Sequence, residues 1–312
     1  MAAEPDGSPF RLDSVAGRYV VLCLPGPTSA PVAAELLDDR RVTFVTVLPD
    51  SRQLTGPATM RRVCDPDGAI SQAYGGPATY VLSPNLRVLH RLPPEPTSQS
   101  LVDLLEGLPS LDDASIDAPV LIVPDLLEPA FRHELVLHHA RTGGQHTGVM
   151  RALPDGRTVL VDDPGYKRRR DVLITDEAMR AELRDRITRR LVPEIRKAFQ
   201  FEATRIERYL LACYDADDGG FFRAHRDNTT PATAHRRFAV SINLNTGEYE
   251  GGRLRFPEFS RRLYDVAAGG AIVFSCSLQH EVTPVTQGRR YCCLPFLYDE
   301  AAAASRPPTP GG

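Results

Sequence analysis

The chain has no run of roughly 18 uninterrupted apolar residues, the length a membrane-spanning helix needs. Its opening stretch "MAAEPDGSPF" has neither the basic region nor the apolar run of a secretory signal. A membrane is therefore not an expected partner, and the cytoplasm is the expected compartment. A basic excess is missing too: 37 Lys and Arg stand against 40 Asp and Glu, for a net charge of −3, so no nucleic-acid partner is expected. The one basic block, Lys167-Arg168-Arg169-Arg170, reads as a solvated loop. Six cysteines (Cys23, Cys64, Cys213, Cys276, Cys292, Cys293) are scattered, mostly inside apolar runs, with no C-x-x-C pair. This excludes a disulfide framework or a structural zinc site. Cys292 and Cys293 read as buried side chains on opposite faces of a strand.

What is present suits two soluble globular domains: 312 residues, 42% apolar and 25% charged. In the first, "YVVLCL" and "VTFVTVL" are short and β-rich, and "APVAAELLDD" between them is helix-forming, which makes a β-α-β unit with parallel strands. A short helical stretch "DGAISQAYG" follows, then a hairpin "ATYVLS"/"RVLHRL", then a helix "SQSLVDLLEGL" ended by Gly107. Next, "GLPSLDDASIDAPV" is polar, Pro-bearing and aperiodic, as a linker is; residues 109–118 are assigned to it. Beyond it, "LLEPAFRHELVLHHARTGG" has Pro129 in its first turn and Gly143 past its end, the asymmetry of a helix. Met179, Leu183, Ile187, Leu191 and Ile195 make one buried stripe on a second helix, which Pro193 kinks or divides. From Glu207 nearly everything is β, as in a barrel or jelly roll. The tail from 300 to 312 is small and Pro-rich and is expected to be disordered.

The histidines carry the chemistry. In extended chain, residues i and i+2 face one way, so His225 and Asp227 can present an imidazole and a carboxylate to a common point. His280 follows the apolar strand "GGAIVFSCS", which a jelly roll can bring alongside. Two histidines and a carboxylate on one face make the facial triad of non-haem Fe(II). Arg290, ten residues beyond His280, is placed to pair with a carboxylate, and Arg289 is the competing choice because only one of the two can point inward. His146 and His235 have no carboxylate at a useful spacing and read as surface or loop residues, while one of His138 and His139 should face solvent from its helix. Gly251-Gly252 reads as a tight turn and Arg255 as a solvated strand residue, both near the barrel mouth.

Two resemblances give these readings names. The element order β-α-β-α-β-β-α over residues 10–108 resembles the thioredoxin fold, and "FRLDSVAGRYVVLCLPG" looks like the opening of a peroxiredoxin. That family's P-x-x-x-[TS]-x-x-C stretch fits at Pro25 and Ser29, but Val32 stands where the cysteine belongs and Cys64 is expected in a distant loop. The domain is accordingly read as redoxin-like without peroxidase activity, a module for docking a protein partner or for self-association. The joint pattern His225-x-Asp227, His280, Arg290, "YEGGRLRFP" and "HEVTPVTQGRRY" resembles the 2-oxoglutarate/Fe(II)-dependent dioxygenases of the prolyl 4-hydroxylase-like group, over about residues 119–299. The resemblance implies a double-stranded β-helix with supporting helices, Fe(II) on the triad, and 2-oxoglutarate and O2 as co-substrates, with ascorbate as an auxiliary reductant. It implies a hydroxylated product with succinate and CO2, the substrate being prolyl, peptidyl, an amino acid or another small molecule. Tyr214 matches a tyrosine that often lines the co-substrate pocket; Asn243 stands where many relatives have another. An iron- and 2-oxoglutarate-binding sensor or interaction module, and a thiol peroxidase using Cys23 or Cys64, are the rival readings.

Overall fold

The computed structural model describes residues 10–24, 40–50, 60–111, 116–153 and 157–305. The chain divides into two compact units, Met1–Asp117 with Phe256–Arg262, and Ala118–Arg255 with Leu263–Gly312.

The first unit is built on a five-stranded sheet of order β3-β2-β1-β4-β5. Its strands are β1 (Tyr19–Leu24), β2 (Val42–Leu48), β3 (Met60–Cys64), β4 (Ala78–Leu82) and β5 (Val88–Leu92). β1, β2 and β3 run parallel, while β4 and β5 are antiparallel additions. Every residue of β1 and β2 is buried, which is why both read as unbroken apolar runs: a central parallel strand is covered on both faces. Tyr19, Val21 and Cys23 pack with Leu101 and Leu105 of α2 (Ser98–Glu106), whereas Val20, Leu22 and Leu24 join the opposite core, against which Ile70 and Tyr74 pack from around α1 (Ala69–Ala73). Cys64 ends β3 and is not in a loop, as the sequence suggested; Arg61 and Arg62 hid a strand whose register along β2 is set by its neighbour. The helix expected at "APVAAELLDD", and Pro25, Ser29 and Val32, lie outside the described residues. Of the expected linker, Leu111 is buried in this unit's core with Leu105 and Leu108.

In the second unit, β6 (Leu121–Val123) leads to α3 (Pro129–Thr142), which starts on Pro129 and stops at Gly143 with φ +86°. The edge strands β7 (Gln145–His146), β8 (Val149–Ala152) and β9 (Thr158–Val161) follow. β10 (Lys167–Arg168) and β11 (Arg170–Leu173) come next, then α4 (Glu177–Arg186) and α5 (Val192–Phe199). A π-helical turn, Ile187–Leu191, joins these two helices, and Pro193, which has no N–H to donate to the preceding turn, sits just after it. The expected stripe from Met179 to Ile195 is buried throughout, against Leu211, Val240, Ile242, Val273 and Leu297 of the larger sheet.

The remaining strands are β12 (Arg205–Ile206), β13 (Leu210–Asp215), β14 (Phe221–His225), β15 (Phe238–Asn243), β16 (Tyr249–Gly251), β17 (Leu254–Arg255), β18 (Leu263–Tyr264), β19 (Ala271–Ser275), β20 (His280–Val282), β21 (Val285–Cys293) and β22 (Phe296–Tyr298). The larger sheet runs β12-β22-β15-β21-β13-β11-β7, with β19 and β6 continuing from β15; the smaller runs β10-β14-β20-β17-β18. This mixed sheet-and-helix architecture is consistent with a double-stranded β-helix. Residues 300–304, expected in a disordered tail, instead form α6 (Glu300–Ala304), because Asp299 caps it by accepting from Ala302 N at 2.9 Å and alanine favours the helix. Among the described residues no helix is long and apolar enough to cross a membrane.

Candidate metal centre

β14 ends on His225 and β20 begins on His280, and the two are direct antiparallel partners. Their rings lie 4.3 Å apart between centroids. Asp227 is not on the strand. It sits in the turn after β14, where its N–H donates to Cys276 O at 3.0 Å, so a hydrogen bond to a residue distant in sequence sets its position and not strand alternation. Its carboxylate oxygens stand 3.7 Å from His225 Nε2 and 3.4 Å from His280 Nε2. One ligand atom from each residue lies within 4.8 Å of the others.

The imidazoles are held ready for a cation. His225 Nδ1 is 2.7 Å from Arg223 O and His280 Nδ1 is 3.1 Å from Leu278 O. Only an N–H can meet a carbonyl, so in each ring Nδ1 is the donor and Nε2 is the atom turned to the cluster. Burial, with the neighbouring His280, pulls His225 down to about 3, which keeps it neutral. Burial alone would raise the Asp227 carboxyl, but His280, His225, Arg236 and Arg208 outweigh it and hold it below its ordinary value. Two imidazoles and a carboxylate are a donor set for a divalent transition metal.

On the larger sheet, Tyr214 of β13 pairs with Arg290 of β21, and the guanidinium lies 5.3 Å from the phenol ring. Arg290 is 2% exposed; Arg289 points out, with a 56% exposed side chain bonded to Asp215 at 2.7 Å. Arg290 Nη2 donates to Ser241 Oγ (2.9 Å) and Asn243 Oδ1 (3.0 Å), while its buried Nε and Nη1 have no hydrogen-bond partner among the described residues. Asn243 thus meets the arginine directly and also donates to Asp265 at 2.9 Å. Gly252, at φ +61°, lets the backbone lie against this arginine: a Cβ there would fall 2.9 Å from Arg290 Cδ. The Gly251-Gly252 pair is therefore more than a turn.

Sequence reasoning missed the residues joining the two sheets. β10 belongs to the smaller sheet and β11 to the larger, and Arg169 is the single residue between them. The basic block is no solvated loop: extended chain alternates faces, so Lys167 and Arg169 go inward, 7% and 5% exposed, and Arg168 goes out. Arg169 grips Asp171 with two bonds of 2.6 and 2.7 Å and donates to Tyr214 Oη at 3.4 Å. It also lies over the ring of Phe222, which stacks on His225 at 3.5 Å. Lys167 donates to Thr147 Oγ1 (2.6 Å) and Gly148 O (3.1 Å). His235 was read as a surface histidine, but it is 1% exposed and meets Glu207 at 3.0 Å, a partner 28 residues away that local spacing could not reveal. His139 is the inward member of its pair, bonded to Arg170 O, and His146 is exposed. Arg255 is ion-paired with Glu281 across β17 and β20 and is not merely solvated.

A model of the 2OG-Fe(II) oxygenase superfamily matches residues 209–298. A PKHD-type hydroxylase of Azoarcus sp. (strain BH72) is 35% identical over 89 residues, 26% of this chain and 39% of that protein. One of Delftia acidovorans is 37% identical over 97 residues, 28% of this chain and 42% of that protein. The chain thus spans about two fifths of the curated relatives' length. A solved prolyl-4-hydroxylase of Pseudomonas putida aligns with a TM-score of 0.43 at 19% identity, covering 61% of this chain and 97% of that one. By the match to the superfamily model, the second unit carries a 2OG-Fe(II) oxygenase-like domain.

Proposed function

We propose that the protein is an Fe(II)- and 2-oxoglutarate-dependent dioxygenase that hydroxylates a substrate C–H bond, releasing succinate and CO2. The observation that carries this reading is the pairing of two sites: a His-His-Asp cluster whose Nε2 atoms converge with the Asp227 carboxylate, and a buried arginine with unmatched donors on the facing sheet. His225, Asp227 and His280 would hold the iron, which supplies the activation of O2. Arg290 would take the distal carboxylate of 2-oxoglutarate on its Nε and Nη1 edge. Tyr214 would add a hydroxyl donor; because Arg169 donates to its oxygen, the phenolic proton is turned toward a different acceptor. Phe222 and Phe274 pack on the two imidazoles and keep water from their outer faces.

The first unit we read as thioredoxin-like, on its order of parallel strands followed by an antiparallel pair, and as a docking or self-association module without peroxidase chemistry. Burial raises the Cys23 thiol to about 11, so it is not a ready thiolate, and Cys64 is buried at the end of β3.

The test is release of succinate from 2-oxoglutarate by the purified protein supplied with Fe(II) and O2, screened over peptides and free amino acids, with mass spectrometry for a gain of one oxygen. Metal-dependent succinate release stimulated by a substrate is expected. Tight binding of iron and 2-oxoglutarate with no turnover over that screen would favour the sensor.

A further inference from the structure

The buried cations of the second unit can be matched to their carboxylates. Asp171 answers Arg169 with two hydrogen bonds and Lys167 at 3.6 Å. Glu207 grips Arg236 at 2.7 and 2.6 Å and also meets His235. Asp227 faces the two imidazoles. Two inward guanidiniums close to these groups, one fully buried and one half-buried, have no carboxylate hydrogen-bonded to them. One is Arg290. The other is Arg208.

Arg208 lies on the extended stretch between β12 and β13, where Glu207 N–H donates to Phe296 O at 3.0 Å. Its guanidinium packs 4.5 Å from the centre of the Phe296 ring, and Arg236 packs 4.0 Å from the same ring. Arg236 in turn donates to the main-chain oxygen of Asp227 at 3.2 Å, so Arg208 is one aromatic ring removed from the turn that carries the carboxylate ligand. Tyr209 and Leu211 belong to the helix-side core, so alternation sends Arg208, Leu210, Ala212 and Tyr214 to the other, inward face. Six residues at about 3.3 Å each separate Arg208 from Tyr214 along that face, a span of roughly 20 Å. Arg208 makes no hydrogen bond to any described residue, and its Nε is buried. Burial and the positive charges of Arg169 and Arg236 lower it to about 10, which leaves it a cation at neutral pH. A half-buried cation beside two other arginines, with Asp227 and Asp171 near but not hydrogen-bonded to it, is a favourable seat for a further anion.

We propose that Arg208 anchors a carboxylate of the substrate, so that the substrate class is a carboxylic acid, whether an α-carboxylate or an acidic side chain. This rests on the oxygenase reading, in which Arg290 and the iron take 2-oxoglutarate and leave Arg208 for the second reactant. A planar carboxylate suits the guanidinium fork, and the Phe296 face holds that fork in one plane.

The test is calorimetric titration of the protein, loaded with Mn(II) and 2-oxoglutarate, with a panel of N-acetyl amino acids and their primary amides. The acids give the α-carboxylate arm, and the aspartyl and glutamyl amides give the side-chain arm. Binding of carboxylate-bearing members in preference to neutral amides is expected. Arg208→Gln should weaken that binding about tenfold or more while leaving Mn(II) and 2-oxoglutarate affinity unchanged, and Arg208→Lys should recover part of it. Neutral amides binding as tightly as acids, acid binding indifferent to Arg208→Gln, or no panel member binding a protein that has taken up 2-oxoglutarate would overturn the proposal. Failure to bind Mn(II) and 2-oxoglutarate at all is read in the separate titrations and would sink the oxygenase reading with it.

Discussion

Lys167 and Arg169 show how much one residue's surroundings can change its chemistry. Nothing in the four-residue basic block separates its members; strand alternation at the crossing between two sheets does, and only the fold supplies that crossing. Lys167 has a folded-state pKa lowered to about 7 by burial and by Arg169, against about 10.5 in an unfolded chain. Between those values the unfolded chain holds a proton that the folded protein has lost, so raising the pH favours folding. Relative to Lys167→Met, the protein should gain up to about 1.4 kcal/mol of stability per pH unit from pH 7 to 10, with no change in the difference below pH 7. Denaturant midpoints of both proteins over that range check it, and a flat difference would refute the lowered pKa of the buried lysine. At the triad, His225→Ala, Asp227→Ala and His280→Ala should each weaken metal binding by about a hundredfold or more, because two ligands cannot replace three. Metal content after dialysis reads this directly. The three triad residues were legible in the sequence as residue types, but the turn that positions Asp227, its bond to Cys276 O, was not.

Elements were legible where one local signal ruled. β1 and β2 stand where unbroken apolar runs put them, the helix from Pro129 where Pro129 and Gly143 bound it, and the Met179 stripe where one face is consistently buried. β3 was missed because its arginines broke that pattern, and α6 because a Pro-rich tail masked a five-residue capped helix. The approach of β16 to β21 depends on Gly251 and Gly252, a pair that sequence alone reads as any tight turn. Gly252→Ala puts a Cβ 2.8 Å from Val285 Cγ2 and 2.9 Å from Arg290 Cδ on a left-handed backbone. This change should weaken 2-oxoglutarate binding about tenfold and cost about 1 to 3 kcal/mol of stability. Unchanged 2-oxoglutarate affinity would show that Arg290 is not positioned through this contact.

For the molecule as a whole, all six cysteines are buried, and the metal-ligand cluster lies in the second unit. The full chain should not consume peroxide in the presence of a thiol reductant, and Cys23→Ala and Cys64→Ala should change nothing in that assay; turnover lost with either cysteine would restore the peroxidase reading. The account depends most on the assignment of metal and co-substrate to one facing pair of sites. Calorimetric titration of 2-oxoglutarate into the Mn(II)-loaded protein tests it most directly. One equivalent should bind to the unmutated protein and to Arg289→Ala, while Arg290→Ala should lose about 2 to 5 kcal/mol of binding and removal of the metal should weaken it further. Equal binding by Arg290→Ala, or binding indifferent to the metal, would contradict the account.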